Sequence, residues 1–514
     1  MLPLNRRQAL LGSAALLSMP MGMSWQASAA SDVDLLRIRV DSEPTVLDPP
    51  FWQSAGDLWT MEPLLPRLIT FIPGKKWEWA PYAAETIEQT DDKTISFKLR
   101  EGLKWTNGFG DLTAEDVKFS FERFLDKDLQ APNAGNWALL DHVEVTGRLT
   151  GKIHFTKPSA VAFAFVLPYD GGQIVCKEAV LKAGGKYGVN IPASAGPYKL
   201  VQHIPNQKII YERDDNWPGP KGQFQRIEQV PITDPKTAEN AVLAGELDWS
   251  VISLSSVPTL RDNLPEHLAL EIMPTPNYFW LGLTMANPDL EDVRVRKAIH
   301  LAIDRDAIIN GAFFGVAPAA NGLALEGMLG HLPDPAPARN VEEAKRLLAE
   351  AGVSGLTLDL ETVAETDKIT AAQIIQGNLA EIGITVNINN NEGGAFWSLG
   401  EQKGKKLQLH LTEYTTAAPD MSWSTQWFLP EQAGSWNWEY FISEDFKNLH
   451  LAALSELDVK KRDQLLQDAQ KLMNDSYTFY WIVHVPRAVL YNKKKIVPSM
   501  KPNAEPRLEL FTKA

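Results

Sequence analysis

The chain has 514 residues, of which 44% are hydrophobic and 22% are charged, and its formal net charge at pH 7 is -14. This length exceeds what one hydrophobic core usually serves, so we expect two or three domains. The negative charge repels phosphate backbones and anionic lipid surfaces, which argues against nucleic-acid binding. Cys176 is the single cysteine, which excludes an intrachain disulfide.

The first thirty residues have the pattern of a secretory signal. Arg6 and Arg7 form its basic start, an apolar run follows over residues 9–23, and residues 27–29 read Ala-Ser-Ala, which resembles a cleavage site. The apolar run is too short for a stable membrane anchor, and the adjacent arginines fit the twin-arginine export pattern. We predict a signal peptide over residues 1–30, cleaved near residues 29–31, and a periplasmic protein; the alternative is an uncleaved apolar helix.

The next recognisable elements form a strand followed by a helix. In KTISFKLREG, residues 93–102, apolar and polar side chains alternate, which predicts a half-buried strand. The following segment, LTAEDVKFSFERFL, places Thr113 as an N-cap and Asp116 at the capping-box position, ahead of apolar residues at helical spacing. Gly102 and Gly108 supply the turns between the two elements.

A second group of elements follows near residue 340. NVEEAKRLLAEAG predicts a helix that Asn340 caps and Gly352 ends. GLTLDLETV, DKITAAQIIQGNLAEIG and ITVNIN, which together span residues 355–389, then predict a strand, a helix and a strand. The short connection between that helix and the last strand favours a parallel βαβ unit.

Motifs for catalysis and for metal binding are missing. The sequence contains no HExxH, P-loop, GxSxG or EF-hand pattern, and no two of its nine histidines lie four residues apart. We therefore expect no enzyme activity, no cofactor and no metal. A Ser-His-Asp site assembled from distant segments remains an alternative without positive support.

Several segments resemble, in order along the chain, the family 5 extracellular solute-binding proteins of ABC transporters, which include oligopeptide, dipeptide and nickel binders. The resemblance covers nearly the whole chain after the signal. The matching segments are SEPTVLDPP at residues 42–50, the block at residues 83–124, SAGPYKL, ERDDNWPGP and RIEQVPITDPKTAENAVLAGELD within residues 194–248, FWLGLTMANPDLEDVRVRKAIHLAIDRDAIINGAFFG, and EEAKRLLAEAG.

The resemblance implies an α/β fold of the type II periplasmic binding class, with two lobes and an extra subdomain in lobe one. We expect lobe one to combine residues 31–70, 195–280 and 490–514, the extra subdomain to span 71–194, and lobe two to span 281–489. A hinge between the lobes would let them close on a small-molecule solute. The implied partner is an inner-membrane ABC permease, and the protein is expected to be a monomer.

Five tryptophans lie in segments that resemble the family's cleft edge, hinge and lobe-two loop. Trp52, Trp280, Trp423, Trp436 and Trp438 are candidates for stacking on sugar or peptide planes, with core packing as the alternative for each. In SWNWEYF, alternation predicts that Trp436 and Trp438 share one face of a strand.

The segment EYTTA, residues 413–417, stands where peptide-binding members have Gly-Trp-x-x-Asp, whose aspartate pairs with the amino terminus of the peptide. Glu413 and Tyr414 replace Gly-Trp, Thr415 and Thr416 follow, and Ala417 replaces the aspartate. A buried ammonium without a countercharge is costly. We therefore expect a plain peptide to bind poorly.

Two nearby acids, Glu413 and Asp420, are candidates to replace the missing aspartate. If neither reaches the same point, the aromatic rings and threonines suit a blocked, modified or sugar-containing solute.

The predicted function is a periplasmic solute-binding component of an ABC importer for a peptide-like or modified solute. An oligosaccharide or opine binder is the alternative, and a hydrolase or a sensory binding protein is less favoured.

Overall fold

The computed structural model describes residues 32–333, 338–414 and 420–514, so the predicted signal peptide lies outside the described residues. Lobe one is built on a mixed, seven-stranded sheet in which the central strand pairs in parallel with both its neighbours. In spatial order its strands are Leu268–Met273, Arg487–Asn492, Trp249–Ile252, Leu35–Val40, Arg226–Pro231, Lys208–Arg213 and Tyr198–Ile204. Its helices are Ala55–Met61, Pro235–Leu243 and Val257–Asp262.

A buried arginine fixes the carboxyl ends of the parallel strands in lobe one. The Arg39 guanidinium donates to the carbonyl oxygens of Ile232, Thr233 and Val251 at 2.7, 2.8 and 2.6 Å. Because these carbonyls lie just past or within neighbouring strands, one side chain ties the ends of those strands together.

The extra subdomain is built on a four-stranded antiparallel sheet, in the order Ala84–Asp91, Thr94–Leu99, Thr150–Phe155 and Leu140–Val145. The helix Ala114–Glu122 begins at the predicted cap, where the Thr113 N–H donates to Asp116 Oδ2 at 2.9 Å. A helix at Lys177–Lys182 and a π-helical turn at Ala162–Val166 complete it, and the short strands Ile69–Phe71 and Trp79–Pro81 join it to lobe one.

Lobe two is built on a five-stranded sheet that contains the predicted βαβ unit. Asn340 caps the helix Val341–Glu350 as expected, because its Oδ1 accepts from the Glu343 N–H at 3.0 Å. In spatial order the strands are Thr385–Asn391, Thr357–Val363, Leu409–Tyr414, Tyr278–Leu283 and Phe479–His484, of which the first three run parallel. The helices are Val293–Ala302, Arg305–Ala312, Val341–Glu350, Thr366–Ala380, Gly393–Trp397, Leu399–Lys403, Met421–Thr425, Glu444–Ser455 and Val459–Asp475.

The chain crosses between the two large sheets twice, and the two crossings lie side by side. The Thr275 hydroxyl donates to the Val485 carbonyl at 2.7 Å, and the Val485 N–H donates to the Asn277 carbonyl at 3.0 Å. The expected boundaries therefore shift by a few residues. The strand that starts at Tyr278 belongs to lobe two, and the strand that starts at Arg487 belongs to lobe one, because sheet pairing decides membership.

Hydrophobic packing follows the same division. One continuous core joins lobe one to the extra subdomain, whereas lobe two has separate cores on the two faces of its sheet. A small short-stranded ribbon, Ile496–Val497 with Thr512–Lys513, returns the C-terminal segment to lobe one. None of the helices in the described ranges is long and apolar enough to cross a membrane.

Candidate functional site

The carboxyl end of Leu409–Tyr414, the central strand of the lobe-two sheet, lies beside the segments where the chain crosses between the lobes. Tyr414, the last residue of that strand, pairs with Tyr278, and Asn277 of the crossing segment donates to Glu413 at 3.4 Å. Ligands of open α/β sheets bind outside the carboxyl ends of the strands, so this edge is the first candidate for a site. The next residues, Thr415, Thr416 and Ala417, lie outside the described residues.

Four tryptophans form a continuous surface next to this edge, which we call the aromatic strip. Trp397, Trp436, Trp427 and Trp423 follow one another with ring-centroid separations of 6.4, 5.2 and 6.1 Å. The exposed fractions of Trp397 and Trp436 are 43% and 42%, which is high for rings of this size. The strip exposes aromatic faces and has no charged side chain among its four members.

Tyr414 packs beneath the aromatic strip and contacts two of its tryptophans. Its hydroxyl donates to the Trp436 carbonyl at 2.9 Å, and its ring lies 5.9 Å from the Trp397 ring. Burial raises the pKa of this phenol well above its ordinary value, with Glu439 and Tyr278 adding to the shift, so the hydroxyl stays protonated. The neutral phenol fixes the loop that carries Trp436.

The far end of the aromatic strip meets the extra subdomain. Trp423 lies edge-on to Phe165, with ring centroids 5.4 Å apart, and packs against the core that lobe one shares with that subdomain. Trp77 likewise packs against both this core and the aromatic core of lobe two. The strip therefore runs from the edge of the lobe-two sheet near the crossings to a contact between lobe two and the extra subdomain.

Two of the predicted stacking residues are core residues in this structure. Trp280 is fully buried, and its indole N–H donates to Glu439 Oε1 at 2.7 Å. Trp438 is buried, and its indole N–H donates to the Ser435 carbonyl at 2.8 Å. Since neither ring has a face left for a solute here, the expectation that they stack on one is corrected to the alternative of core packing.

The expected common strand face of Trp436 and Trp438 is also corrected. The segment forms a turn, in which the buried Asn437 side chain accepts from the Phe441 N–H at 2.9 Å and donates to the Phe441 carbonyl at 2.8 Å. This turn sends Trp436 to the surface and Trp438 inward. Alternation applies only to extended backbone, so it gave the wrong pairing.

Trp52 lies in lobe one, next to the extra subdomain. Its indole N–H donates to Asp170 Oδ1 at 2.8 Å, and its carbonyl accepts from the Asn133 amide at 3.0 Å. The half-buried ring packs against the core of lobe one. These contacts place it in lobe one and the extra subdomain, and its stacking on a solute stays a prediction.

Asp420 belongs to the scaffold of lobe two. Its carboxylate forms a two-pronged ion pair with Arg462, at 2.6 and 2.8 Å, and caps the helix Met421–Thr425. Burial opposes ionisation, but the Arg462 guanidinium and the Ser422 donors outweigh burial and lower the pKa of Asp420. The expectation that Asp420 could meet a solute ammonium is therefore corrected, because all its charge is used internally.

Glu413 is engaged as well, on the other face of the sheet from Tyr414. Its Oε2 lies 3.5 Å from the Lys368 ammonium, and Oε1 accepts from Asn277. Burial raises the pKa of Glu413, with Lys368 opposing the shift. Burial disfavours the charged form of Lys368 too, but the carboxylates of Glu413, Asp367 and Glu365 outweigh it and raise its pKa. Glu413 thus pairs with a lysine in the first turn of the helix Thr366–Ala380.

Some of the residues that form this site were not among the candidates predicted from the sequence. Trp427 lies four residues after Trp423, a helical spacing that could have signalled a shared surface. Trp397 and Phe165 gave no such signal, because each lies in a short helical segment whose neighbours in space come from distant parts of the chain. Lys368 was part of a predicted helix, and nothing in that helix indicated its partner Glu413.

The two sheets, the paired crossings and the aromatic edge define a protein that binds a solute between two lobes. The chain belongs to the bacterial extracellular solute-binding proteins, family 5, because residues 78–436 match the middle region of that family. Among described residues there is no group of three or more His, Cys, Asp or Glu side chains that could hold a metal ion.

Similar proteins agree with this assignment. The Escherichia coli K12 dipeptide-binding protein is 28% identical over 454 residues, which cover 82% of this chain and 84% of that protein. The Bacillus subtilis oligopeptide-binding protein OppA is 25% identical over 457 residues, with 78% and 80% covered.

Solved structures confirm the type II fold with two lobes and an extra domain. The substrate-binding protein CtaP of Listeria monocytogenes superposes with a TM-score of 0.82 at 20% identity, over 93% of this chain and 99% of that one. The periplasmic binding protein DppA of Helicobacter pylori, solved with the peptide STSA, superposes with a TM-score of 0.77 at 21% identity, over 93% and 98%. At such identities the likeness concerns the fold alone.

Proposed function

We propose that this protein is the periplasmic solute-binding component of an ABC importer, which captures a peptide-like or modified solute between its lobes and delivers it to an inner-membrane permease. Membership of family 5 supports the solute-binding role. Two relatives are named for dipeptide and oligopeptide binding, and a structural neighbour is described as associated with an ABC transporter. The signal pattern of residues 1–30, with its adjacent arginines, supports export.

The proposed class of solute rests on one observation: the aromatic strip is uncharged, and both acids near it already have partners. Asp420 is paired with Arg462, and Glu413 lies on the opposite face of the sheet beside Lys368. Leaving a solute ammonium here without a countercharge would cost several kcal/mol. The proposed solute therefore presents an uncharged end to the strip, as an acylated or otherwise blocked peptide does.

Transport requires that the solute favour the closed arrangement. A solute that contacts both lobes binds the closed state more tightly than the open one, and this difference drives closure about the hinge. The closed monomer would then be recognised by the permease. No turnover is part of this proposal, so a bound solute should be recovered chemically unchanged.

The test combines identification of the solute with a measurement of closure. Native mass spectrometry of freshly purified protein, followed by extraction, is expected to show one solute per chain, recovered with its mass intact. Adding it back to solute-free protein at a hundredfold excess over Kd should stabilise the fold by about 2.7 kcal/mol and reduce the radius measured by small-angle scattering. An unchanged radius at saturation would reject closure, and a cleaved solute would indicate a hydrolase.

An oligosaccharide or opine-type solute is the second candidate. The uncharged faces of Trp397, Trp436, Trp427 and Trp423 favour it, because sugar rings stack on indoles and exchange neutral hydrogen bonds at their edges. Calorimetry with acetylated tripeptides, neutral oligosaccharides and opines side by side separates the candidates. Micromolar binding confined to the oligosaccharides would replace the peptide-like solute.

A further inference from the structure

A partly enclosed cavity of about 270 Å³ lies between the extra subdomain and lobe two. We call it the interlobe cavity. The Ala160 N–H donates across the boundary to the Leu454 carbonyl at 2.9 Å, which ties the two sides together. One wall is formed mainly by Trp137, Phe155 and Phe165, and the opposite wall by Trp423, His450 and Leu454.

The walls of the interlobe cavity are uncharged. None of the described residues that line it is an aspartate, glutamate, lysine or arginine. The lining histidine, His450, is neutral at pH 7, because burial lowers its pKa to about 4, with Asp420 opposing and Arg462 adding to the shift. A charged group placed here would lose its hydration without finding a countercharge, so the cavity suits an uncharged group.

The interlobe cavity adjoins the aromatic strip, because the two share one residue. Trp423 is the last ring of the strip and also a wall of the cavity, where it meets Phe165 edge-on at 5.4 Å. A solute that lies along the strip can therefore place one side group in the cavity. Both walls are needed to enclose that group, and they come from different lobes.

The backbone of one wall has an uncommon conformation. Residues Ala162–Val166 form a π-helical turn, in which the Leu167 N–H donates to the Ala162 carbonyl at 2.9 Å. Such turns are rare and occur frequently at functional sites. This one brings Ala162, Phe165 and Val166 to the cavity lining.

We propose that the interlobe cavity is a specificity subsite that accepts one uncharged aromatic or branched aliphatic side chain of the solute. Its size fits this occupant, since an apolar cavity of about 150 Å³ already binds benzene. Because the walls belong to different lobes, filling the cavity also favours closure. The inference rests on the proposed function and specifies which solutes that function selects.

Small molecules test the cavity without knowledge of the solute. Indole and 4-methylphenol at millimolar concentration are expected to raise the Tm of the wild-type protein and to give saturation-transfer NMR signals, whereas benzoate and benzylamine are not. Ser159→Leu, which adds apolar volume at a buried lining position, should abolish the response. Ala138→Phe fills the cavity from an exposed lining position of the same wall, and it replaces Ser159→Leu in the test if that variant lowers the Tm by itself.

Ala452→Leu is the matched control, because it adds similar volume on the exposed surface of the helix that carries His450. It should respond to indole as the wild type does. Binding of indole by wild type and by both filled variants alike, or no binding by the wild type, would overturn the subsite.

Matched acetylated tripeptides then connect the cavity to the solute. Among acetylated Ala-Ala-Ala and its three single-phenylalanine versions, we expect one phenylalanine version to bind at least tenfold more tightly, and we expect Ser159→Leu to remove this preference while retaining affinity for the alanine peptide. Equal affinities in the wild type would overturn the subsite and leave the proposed function standing. Indole binding without binding of any peptide would support the cavity and reject the peptide-like solute.

Discussion

The two faces of the lobe-two sheet differ in what packs on them. Alternate residues of the strand Tyr278–Leu283 divide between them, so that Phe279, Leu281 and Leu283 join an aliphatic core under long helices, whereas Tyr278 and Trp280 join an aromatic core. The aliphatic core is closed by helices such as Thr366–Ala380. The aromatic core continues to the surface as the aromatic strip.

Because the two faces of the sheet differ, residues that are adjacent in the sequence can have different roles. Glu413 and Tyr414 are adjacent in sequence, yet Glu413 serves the helix side with Lys368 and Tyr414 holds the loop of Trp436. Rigid rings that pack on one another keep an exposed aromatic surface in place without charge. An acid near a ligand site can therefore bind the ligand only if no neighbouring cation already pairs with it.

Arg462→Leu should have the largest effect on stability. The buried Asp420 carboxylate would lose its partner, and breaking such a pair costs roughly 3–5 kcal/mol. Denaturant unfolding should show this loss in the free energy of unfolding. Arg346→Leu, which removes an exposed arginine paired with Glu343, is the control and should change little.

If Arg462→Leu is as stable as the wild type but no longer binds solute, Asp420 is a binding residue and the division of roles is wrong. The same variant therefore tests both the stability and the assignment.

Lowering the pH should lower the free energy of unfolding, because His450 is buried in its neutral form. Its pKa is about 4 in the folded protein and about 6.5 when unfolded, so the unfolded chain binds more protons between these values. Stability is then lost as the pH falls from about 6.5 to about 4, by roughly 3 kcal/mol from this residue. Unfolding at pH 7, 5 and 4 should show a smaller loss for His450→Gln. Equal losses would assign the pH dependence to other groups.

Trp436→Ala should weaken solute binding about tenfold, or roughly 1.4 kcal/mol, while the Tm changes little, because the ring is 42% exposed. Trp438→Ala should do the reverse, since truncating a buried tryptophan costs about 3–5 kcal/mol of stability. Calorimetry and thermal unfolding of both variants measure the contrast. A large Tm loss with unchanged Kd for Trp436→Ala would move this ring to the core.

Glu413→Gln should have the smallest effect. Lys368 keeps Glu365 and Asp367 within 2.6 and 3.7 Å, so the lysine is not left unpaired, and we expect less than about 1 kcal/mol of lost stability and an unchanged Kd. Glu365→Gln, which changes an exposed acid of the same cluster, is the control. Loss of solute binding in Glu413→Gln alone would make Glu413 the acid that replaces the missing aspartate.

The sequence predicted the parts of this molecule that depend on local pattern. The caps at Thr113 and Asn340 and the parallel βαβ unit of lobe two were confirmed, because capping and alternation act within a few residues. The lobe boundaries shifted because strand membership depends on pairing with distant segments. The burial of Trp280 and Trp438 was not predictable from composition, since a tryptophan suits a core and a ligand surface equally.

The proposal that the solute presents an uncharged end to the aromatic strip is tested by calorimetry with one short peptide in free and acetylated form. Glu413 pairs with Lys368 and Asp420 pairs with Arg462, so we expect neither acid to hold a solute ammonium, and the acetylated peptide should bind at least as tightly as the free one. Peptides with phenylalanine at each position should be used in both forms. Micromolar binding of the free peptides that acetylation abolishes would contradict the uncharged solute end, because it would require an acid that faces the solute ammonium.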